Sequence, residues 1–292
     1  MIISKIFGGL GNQMFQYAAG HALAMRKGVE HRLDISAYEH FQMHQGFELN
    51  TVFNADASIA SREEIDRIIG IQSSTILQRL LARPAFAGFR KSSLVFEPGF
   101  KYWDGMNSVK DDAYLSGYWQ SPKYFQDFSS TIRSGFEFKL PMSSQNSMWA
   151  DRIGALESIS LHIRRGDYVT NSSANKQHGL CSLDYYQAAI RHITERVVNP
   201  HFFIFSDDQA WVRQHMHLEH PCSFVDHNSG EQSYNDLRLM SLCRHHIIAN
   251  SSFSWWGAWL GSNSDGITIA PAKWFASGLD VRDLYPDGWV LM

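Results

Sequence analysis

Short apolar runs alternate with segments whose apolar positions recur at helical spacing, and the alternation is cleanest in the second half of the chain. There Ser158–Arg164 reads as a strand, followed by a polar loop over 170–179 and a helix over Leu183–Val198. Strand His201–Phe205 leads to a helix from Gln209 to His217, and strand Cys222–Val225 to a helix over Ser233–Cys243. Strand His246–Ala249, helix Trp255–Leu260 and strand Ile267–Ala270 close the series before Pro271. Strands separated by helices need crossover connections, which predicts a parallel sheet. Ligands bind such sheets at the loops beyond the carboxyl ends of the strands.

The first half is less regular. Ile2–Phe7 reads as a strand, Gly8–Asn12 as a glycine-rich turn, and Gln13 as the start of a helix with Phe15, Ala18, Ala19, Ala22 and Met25 on one face. Such a strand–turn–helix presents backbone N–H groups to an anion. A tight turn that needs glycine only for packing fits the same residues. The pattern is neither G-x-G-x-x-G nor a P-loop. His31–Ile35 is a second strand and 38–54 a loop. Ser61 and Glu64 have capping-box spacing for a helix through Ile69. Ser73–Phe89 reads as helical with a bend at Pro84, Leu94–Phe96 and Ala113–Trp119 as strands, and Lys123–Phe128 as a helix. Polar Pro141–Ser147 breaks the pattern, so the boundary falls between domains 1–145 and 146–292, with the last helix able to cross back.

Of 292 residues, 44% are hydrophobic and 19% charged, enough for a large core. A net charge of −3 gives no global basic field, which argues against non-specific nucleic-acid binding but not against a local anion pocket. Cys181, Cys222 and Cys243 make no C-x-x-C, which argues against a disulfide framework and a zinc site and for a reducing compartment. Met1–Leu10 is too short for a signal h-region, and no stretch approaches the ~18 apolar residues of a membrane span. The expectation is a soluble cytoplasmic protein. The 9 Trp, 11 Tyr and 19 Phe are compatible with sugar stacking, but core packing is the default reading, above all in Trp255-Trp256-Gly257-Ala258-Trp259, whose helix is apolar on nearly all sides.

Three polar clusters follow strands in the second half: His162/Arg164/Arg165/Asp167, Ser206/Asp207/Asp208 and Asn250/Ser251/Ser252. Arginine offers a permanently charged planar fork that fits phosphate oxygens. A helix starting at Asn250-Ser251-Ser252 points the amides of Ser252 and Phe253 outward with the positive end of its dipole. Singly, these are a surface Arg–Asp pair and an N-cap; on one rim, a diphosphate is the better account. Asp207 can accept both edge N–H donors of a guanine, and Asp208 reads as a helix N-cap. No D-x-D is present and no histidine has zinc-ligand spacing, so no metal site is expected and protein cations take over a metal's role.

The chain resembles the bacterial α-1,2-fucosyltransferases of glycosyltransferase family 11. The resemblance rests on Phe7-Gly8-Gly9-Leu10-Gly11-Asn12-Gln13-Met14-Phe15-Gln16, on His162-Ile163-Arg164-Arg165-Gly166-Asp167-Tyr168 and on Asn250-Ser251-Ser252-Phe253-Ser254-Trp255-Trp256, with Tyr118-Trp119-Gln120 and Pro271-Ala272-Lys273-Trp274 alongside. It implies an α/β protein of the GT-B class, two Rossmann-like domains facing across a cleft, acceptor-side first and donor-binding second. It implies inverting transfer of fucose from GDP-β-L-fucose to the 2-hydroxyl of a galactose-terminated oligosaccharide, in surface-glycan (O-antigen) synthesis, without a metal or other cofactor. His162 and Asp207 would contact guanine, Arg164 the β-phosphate with Arg165 beside it, and Asn250, Ser251, Ser252 and Phe253 the diphosphate. Gly8, Gly9, Gly11, Asn12 and Gln13 would lie near donor and acceptor. Arg164 and Asp167 are the catalytic candidates, Asp167 as a base or only as an orienting group. Acceptors built on lipid carriers would bring peripheral membrane contact. Another nucleotide-sugar donor and a non-catalytic carbohydrate-binding protein remain as alternatives.

Overall fold

The computed structural model describes residues 1–39, 45–166, 179–261, 263 and 265–292. The chain forms two compact units, Met1–Lys139 with Val281–Tyr285, and Leu140–Asp280 with Pro286–Met292.

In the first unit, strands β1 (Ile2–Lys5), β2 (His31–Asp34), β3 (Leu94–Phe96) and β4 (Ala113–Ser116) make a parallel sheet in the order β2-β1-β4-β3. Helix α1 (Leu10–Lys27) starts three residues before the expected Gln13, with Gly9 as its N-cap. The amides of Asn12 and Gln13 bond to the Gly9 carbonyl, and burial of Leu10 and Met14 outweighs the roughly 1 kcal/mol that glycine costs inside a helix. A β-carbon on Gly20 would fall 2.0 Å from Ser4 Oγ, so glycine is what lets α1 lie against β1. The expected 38–54 loop contains α2 (Leu49–Val52), while residues 40–44 lie outside the described part.

Helix α3 (Arg62–Ile69) has the capping box read from Ser61 and Glu64. The helix expected over Ser73–Phe89 is shorter: α4 spans Thr75–Leu81, and Pro84 starts a 3-10 turn over Pro84–Phe89. The helix expected over Lys123–Phe128 is two 3-10 turns, Pro122–Tyr124 and Gln126–Phe128, ahead of α5 (Ser129–Gly135). The returning Val281–Tyr285 segment is tied in by Asp283, which accepts from the Tyr102 amide at 3.0 Å and from the Lys123 ammonium.

The second unit holds a six-stranded parallel sheet, β5 (Glu157–Ile163), β6 (Pro200–Ser206), β7 (Cys222–Val225), β8 (His245–Ile247), β9 (Thr268–Ala270) and β10 (Val290–Leu291), ordered β10-β9-β8-β5-β6-β7. Both faces are covered. Phe202 and Ile204 of β6 enter one core with Ile159, Leu161 and Ile163, while Phe203 and Phe205 enter another with Leu239, Met240 and Cys243. That is why β6 is a continuous apolar run rather than an alternating one. The helices among the described residues are α6 (Ser144–Gly154), α7 (Leu183–Thr194), α8 (Gln209–His215), α9 (Tyr234–Leu242) and α10 (Ser252–Leu260). The expected polar break over 141–147 is partly helix, because Ser143 caps α6 by accepting from the Asn146 amide. Trp255, Trp256 and Trp259 are all buried, with Trp255 against Trp289 at 5.5 Å, so these indoles serve the core rather than a sugar platform.

Buried titratable groups predict an acid limit. The rings of His31 and His246 are pushed down to about 3, and that of His162 to about 4, first by burial. Their unfolded counterparts take up protons near pH 6.5, so acid favours the unfolded chain. Glu48, Glu97 and Asp236 act in the opposite sense: burial pushes each up to about 7, so their stabilisation is complete below their unfolded values of 4.5, 4.5 and 3.8 and is lost as pH rises through 7. Between roughly pH 4.5 and 6.5 the two sets oppose each other. Calorimetric scans should show a nearly level melting temperature over that window and a steep fall below it. A fall beginning at pH 6.5 would mean the buried carboxyls contribute nothing.

Candidate functional site

Parallel register brings the carboxyl ends of the second sheet to one rim. Ile163 is opposite Ser206 and Leu161 opposite Ile247, so the residues after β5, β6 and β8 emerge side by side. Arg164 Nη1 meets Asp207 Oδ2 at 3.1 Å, and the Arg165 amide donates to Asp207 Oδ1 at 2.8 Å. One carboxylate thus holds two successive arginines. Arg165 Nε lies 3.5 Å from Asp208 Oδ2, and its guanidinium sits 3.7 Å over the Trp211 ring. Asp208 caps α8 by accepting from the Trp211 amide at 3.1 Å, as read from sequence. A β-carbon on Gly166 would fall 2.6 Å from Asp207 Oδ2, which explains glycine there. Asp167 lies outside the described residues.

His162, at the end of β5, is buried, and its Nδ1 has no hydrogen-bond partner among the described residues. Burial lowers its pKa most, Asp207 raises it and Arg164 lowers it further. The ring is therefore neutral near pH 7, with one nitrogen to donate and one to accept. Its centroid lies 6.3 Å from that of Phe253 in the first turn of α10, which ties the β5 and β8 clusters together.

Ser251 occupies the N-cap of α10 in extended conformation, but its hydroxyl does not cap the helix. The helix ladder begins with the Trp255 amide bonding to the Ser251 carbonyl, so the first turn, including Phe253, directs its amides outward. Asn250 behaves differently from a ligand-facing residue. Its Nδ2 donates to the carbonyls of Gly179 and Trp274, both at 3.2 Å, and its Oδ1 accepts from the Cys181 thiol at 3.4 Å. It knits three loops together beneath the helix start.

The rim of the first sheet is built from glycine and amides. Gly8 has φ +81°, and its carbonyl accepts from Tyr38 Oη at 2.6 Å and Gln13 Nε2 at 3.1 Å. Gln13 is fully buried, also donating to the Gly46 carbonyl and accepting from the Glu48 amide. It shapes the loop from behind. Gly9 and Gly11 bracket the first turn of α1, where Asn12 Oδ1 accepts from Gln120 Nε2 at 2.8 Å.

Sequence reasoning missed two features. Trp211 under Arg165 was signalled only by its place three residues after a capping Asp. Glu97, at the end of β3, accepts from the amides of Tyr118 at 2.6 Å and Trp119 at 3.0 Å, where Trp119 holds φ +55°. Tyr118 itself lies between Phe7, at 5.0 Å, and Phe100, at 5.9 Å. No local signal links residues 7, 97, 100 and 118. Among the described residues, no group of three His, Cys, Asp or Glu side chains is placed to hold a metal ion.

A family model, Glycosyl transferase family 11, matches residues 104–292. The chain belongs to glycosyltransferase family 11. Two Escherichia coli relatives match it over nearly its whole length. An alpha-1,2-colitosyltransferase is 37% identical over 99% of this chain and 98% of its own. The O-antigen biosynthesis glycosyltransferase WbnK is 36% identical, over 98% and 99% respectively. Among solved structures, fucosyltransferase NodZ from Bradyrhizobium superposes with a TM-score of 0.53 at 14% identity, covering 88% of this chain and 92% of that one. That likeness is one of fold and carries the expected GT-B class of α/β architecture. The resemblance to family 11 read from the motifs holds, and the protein is a glycosyltransferase.

Proposed function

We propose that this family 11 enzyme transfers L-fucose from GDP-β-L-fucose to the 2-hydroxyl of a terminal β-galactoside, with inversion, in the building of a surface O-antigen. The observation that carries the reading is the Arg164–Asp207 pair on the same rim as the first turn of α10. An arginine fork and helix amides together suit a diphosphate leaving group. In the reaction, the bond from the sugar's anomeric carbon to the β-phosphate oxygen breaks with its electron pair remaining on GDP. The galactose 2-hydroxyl oxygen forms the new bond from the opposite face and loses its proton. Arg164 and the α10 amides stabilise the charge developing on the phosphate, with no metal needed. Neutral His162 and Asp207 read the guanine edge. Asp167 is the candidate base, and intact turnover in Asp167→Asn would remove it from that role. On the first unit, Tyr118, Phe7 and the Gly8–Asn12 loop supply the aromatic and amide chemistry that suits a sugar acceptor.

The relative named for colitosyl transfer supports a second donor. Colitose is fucose without its 3-hydroxyl, so the same diphosphate site would serve both, and competition between GDP-fucose and GDP-colitose decides. The test of the site itself is calorimetric titration with GDP and UDP in EDTA. GDP should bind and UDP should not. Absence of GDP binding by the folded protein, or binding only after a divalent metal is restored, would overturn the metal-independent GDP site.

A further inference from the structure

Helix α4 carries two apolar stripes, and the core uses only one. Leu77 and Leu81 turn inward with Ile65, Ile68, Ile69 and Phe86. Ile76 and Leu80, equally spaced one turn apart, face solvent at 80% and 38% exposure, and Ile71 and Phe89 on the flanking turns stand at 82% and 73%. An ordinary surface scatters such residues singly. Here they fall within one braced knob. Gln72 donates to the Phe89 carbonyl at 2.8 Å and accepts from the Lys91 amide at 3.0 Å. Arg90 donates to the Leu81, Ala82 and Arg83 carbonyls at the end of α4.

The same knob is purely cationic. From Gly70 to Phe96 the chain has Arg79, Arg83, Arg90 and Lys91 and no acidic residue, within a protein of net charge −3. Among the described residues, Arg79, Arg83 and Lys91 pair with no carboxylate. The segment also precedes residue 104, where the match to the family model begins.

We propose that the solvent face of residues 70–92 docks onto an anionic lipid bilayer, with Ile71, Ile76, Leu80 and Phe89 entering the interface and Arg79, Arg83 and Lys91 meeting lipid phosphates. Exposed large apolar groups on a segment whose only charges are cations are the chemistry of an interfacial membrane contact. A second copy of the chain related by a two-fold axis would bury the apolar groups only by setting one cationic segment against another. A nucleic acid would use the cations and leave the isoleucines in water.

The test is flotation of the full-length protein with vesicles of phosphatidylcholine alone or mixed with phosphatidylglycerol; it needs no sugar donor, so it stands apart from the GDP titration. Binding should appear with the anionic vesicles, weaken as salt rises, and fall about tenfold or more in the variant Ile71→Ser/Ile76→Ser/Phe89→Ser and in Arg79→Gln/Arg83→Gln/Lys91→Gln. Melting curves matching the parent confirm that both variants fold. No flotation with anionic vesicles, equal flotation by the folded variants, or a dimer in solution that the serine variant dissociates would each overturn the proposal.

Discussion

Arg164→Ala should lower turnover about 10²- to 10³-fold, the usual loss when one preorganised partner of a developing negative charge is removed. The fold should survive. Arg164 is about a quarter exposed, and its contact with Asp207 is a partly solvated pair, a kind that contributes little to stability. Arg164→Lys should recover only part of the loss, because an ammonium keeps the charge but not the planar fork. Steady-state kinetics beside a thermal melt decide the matter. The arginine also leaves a mark on its neighbour: its charge helps hold the His162 ring at about 4, so the alanine variant should titrate His162 at higher pH, visible by NMR. Near-normal turnover in the alanine variant would remove Arg164 from phosphate stabilisation.

Neighbouring residues reveal what the sequence discloses readily. The Ser61–Glu64 cap, the strand over His201–Phe205 and the Asp208 cap are local patterns, set by residues within a few positions of one another, and each forms as read. The rim clusters around Arg164, Asp207 and Ser251 follow from parallel topology, which fixes the side of a sheet on which loops emerge. Less legible features depend on partners distant in sequence. Asn250 looks like part of a phosphate loop, yet its amide is engaged by Gly179 and Trp274. Gln13 sits in a motif that suggests a ligand, yet it braces the loop through Gly46 and Glu48. Strand β10 is a two-residue pairing of Val290 with Ile269, too short to show in periodicity. Ser121 and Asp283, 162 positions apart, are joined by a hydrogen bond that no local pattern announces.

The roles of Asp207 can be separated by two substitutions that disturb it differently. As built, its carboxylate binds Arg164 through one oxygen and the Arg165 amide through the other. A carboxylate has roughly four lone-pair sites, so those contacts leave capacity for a nucleotide base. Asp207→Asn keeps the shape but turns half of the group into a donor, facing either the arginine fork or the base's own N–H groups. Loss of one charge-assisted hydrogen bond is worth about 1.5–3 kcal/mol, so GDP affinity should fall about tenfold to a hundredfold, with turnover falling as Arg164 loses its anchor. Gly166→Ala leaves the carboxylate's chemistry intact but puts a β-carbon 2.6 Å from Oδ2 and 3.0 Å from Cγ. Because that side chain is pinned at both oxygens, it can give way only by releasing an arginine. The alanine variant should therefore lower turnover and GDP affinity in the same direction as Asp207→Asn. Calorimetry and kinetics on both variants read the outcome. If Asp207→Asn lowers turnover alone, the carboxylate orients Arg164 without touching guanine; if neither quantity moves in either variant, Asp207 has no part in donor binding.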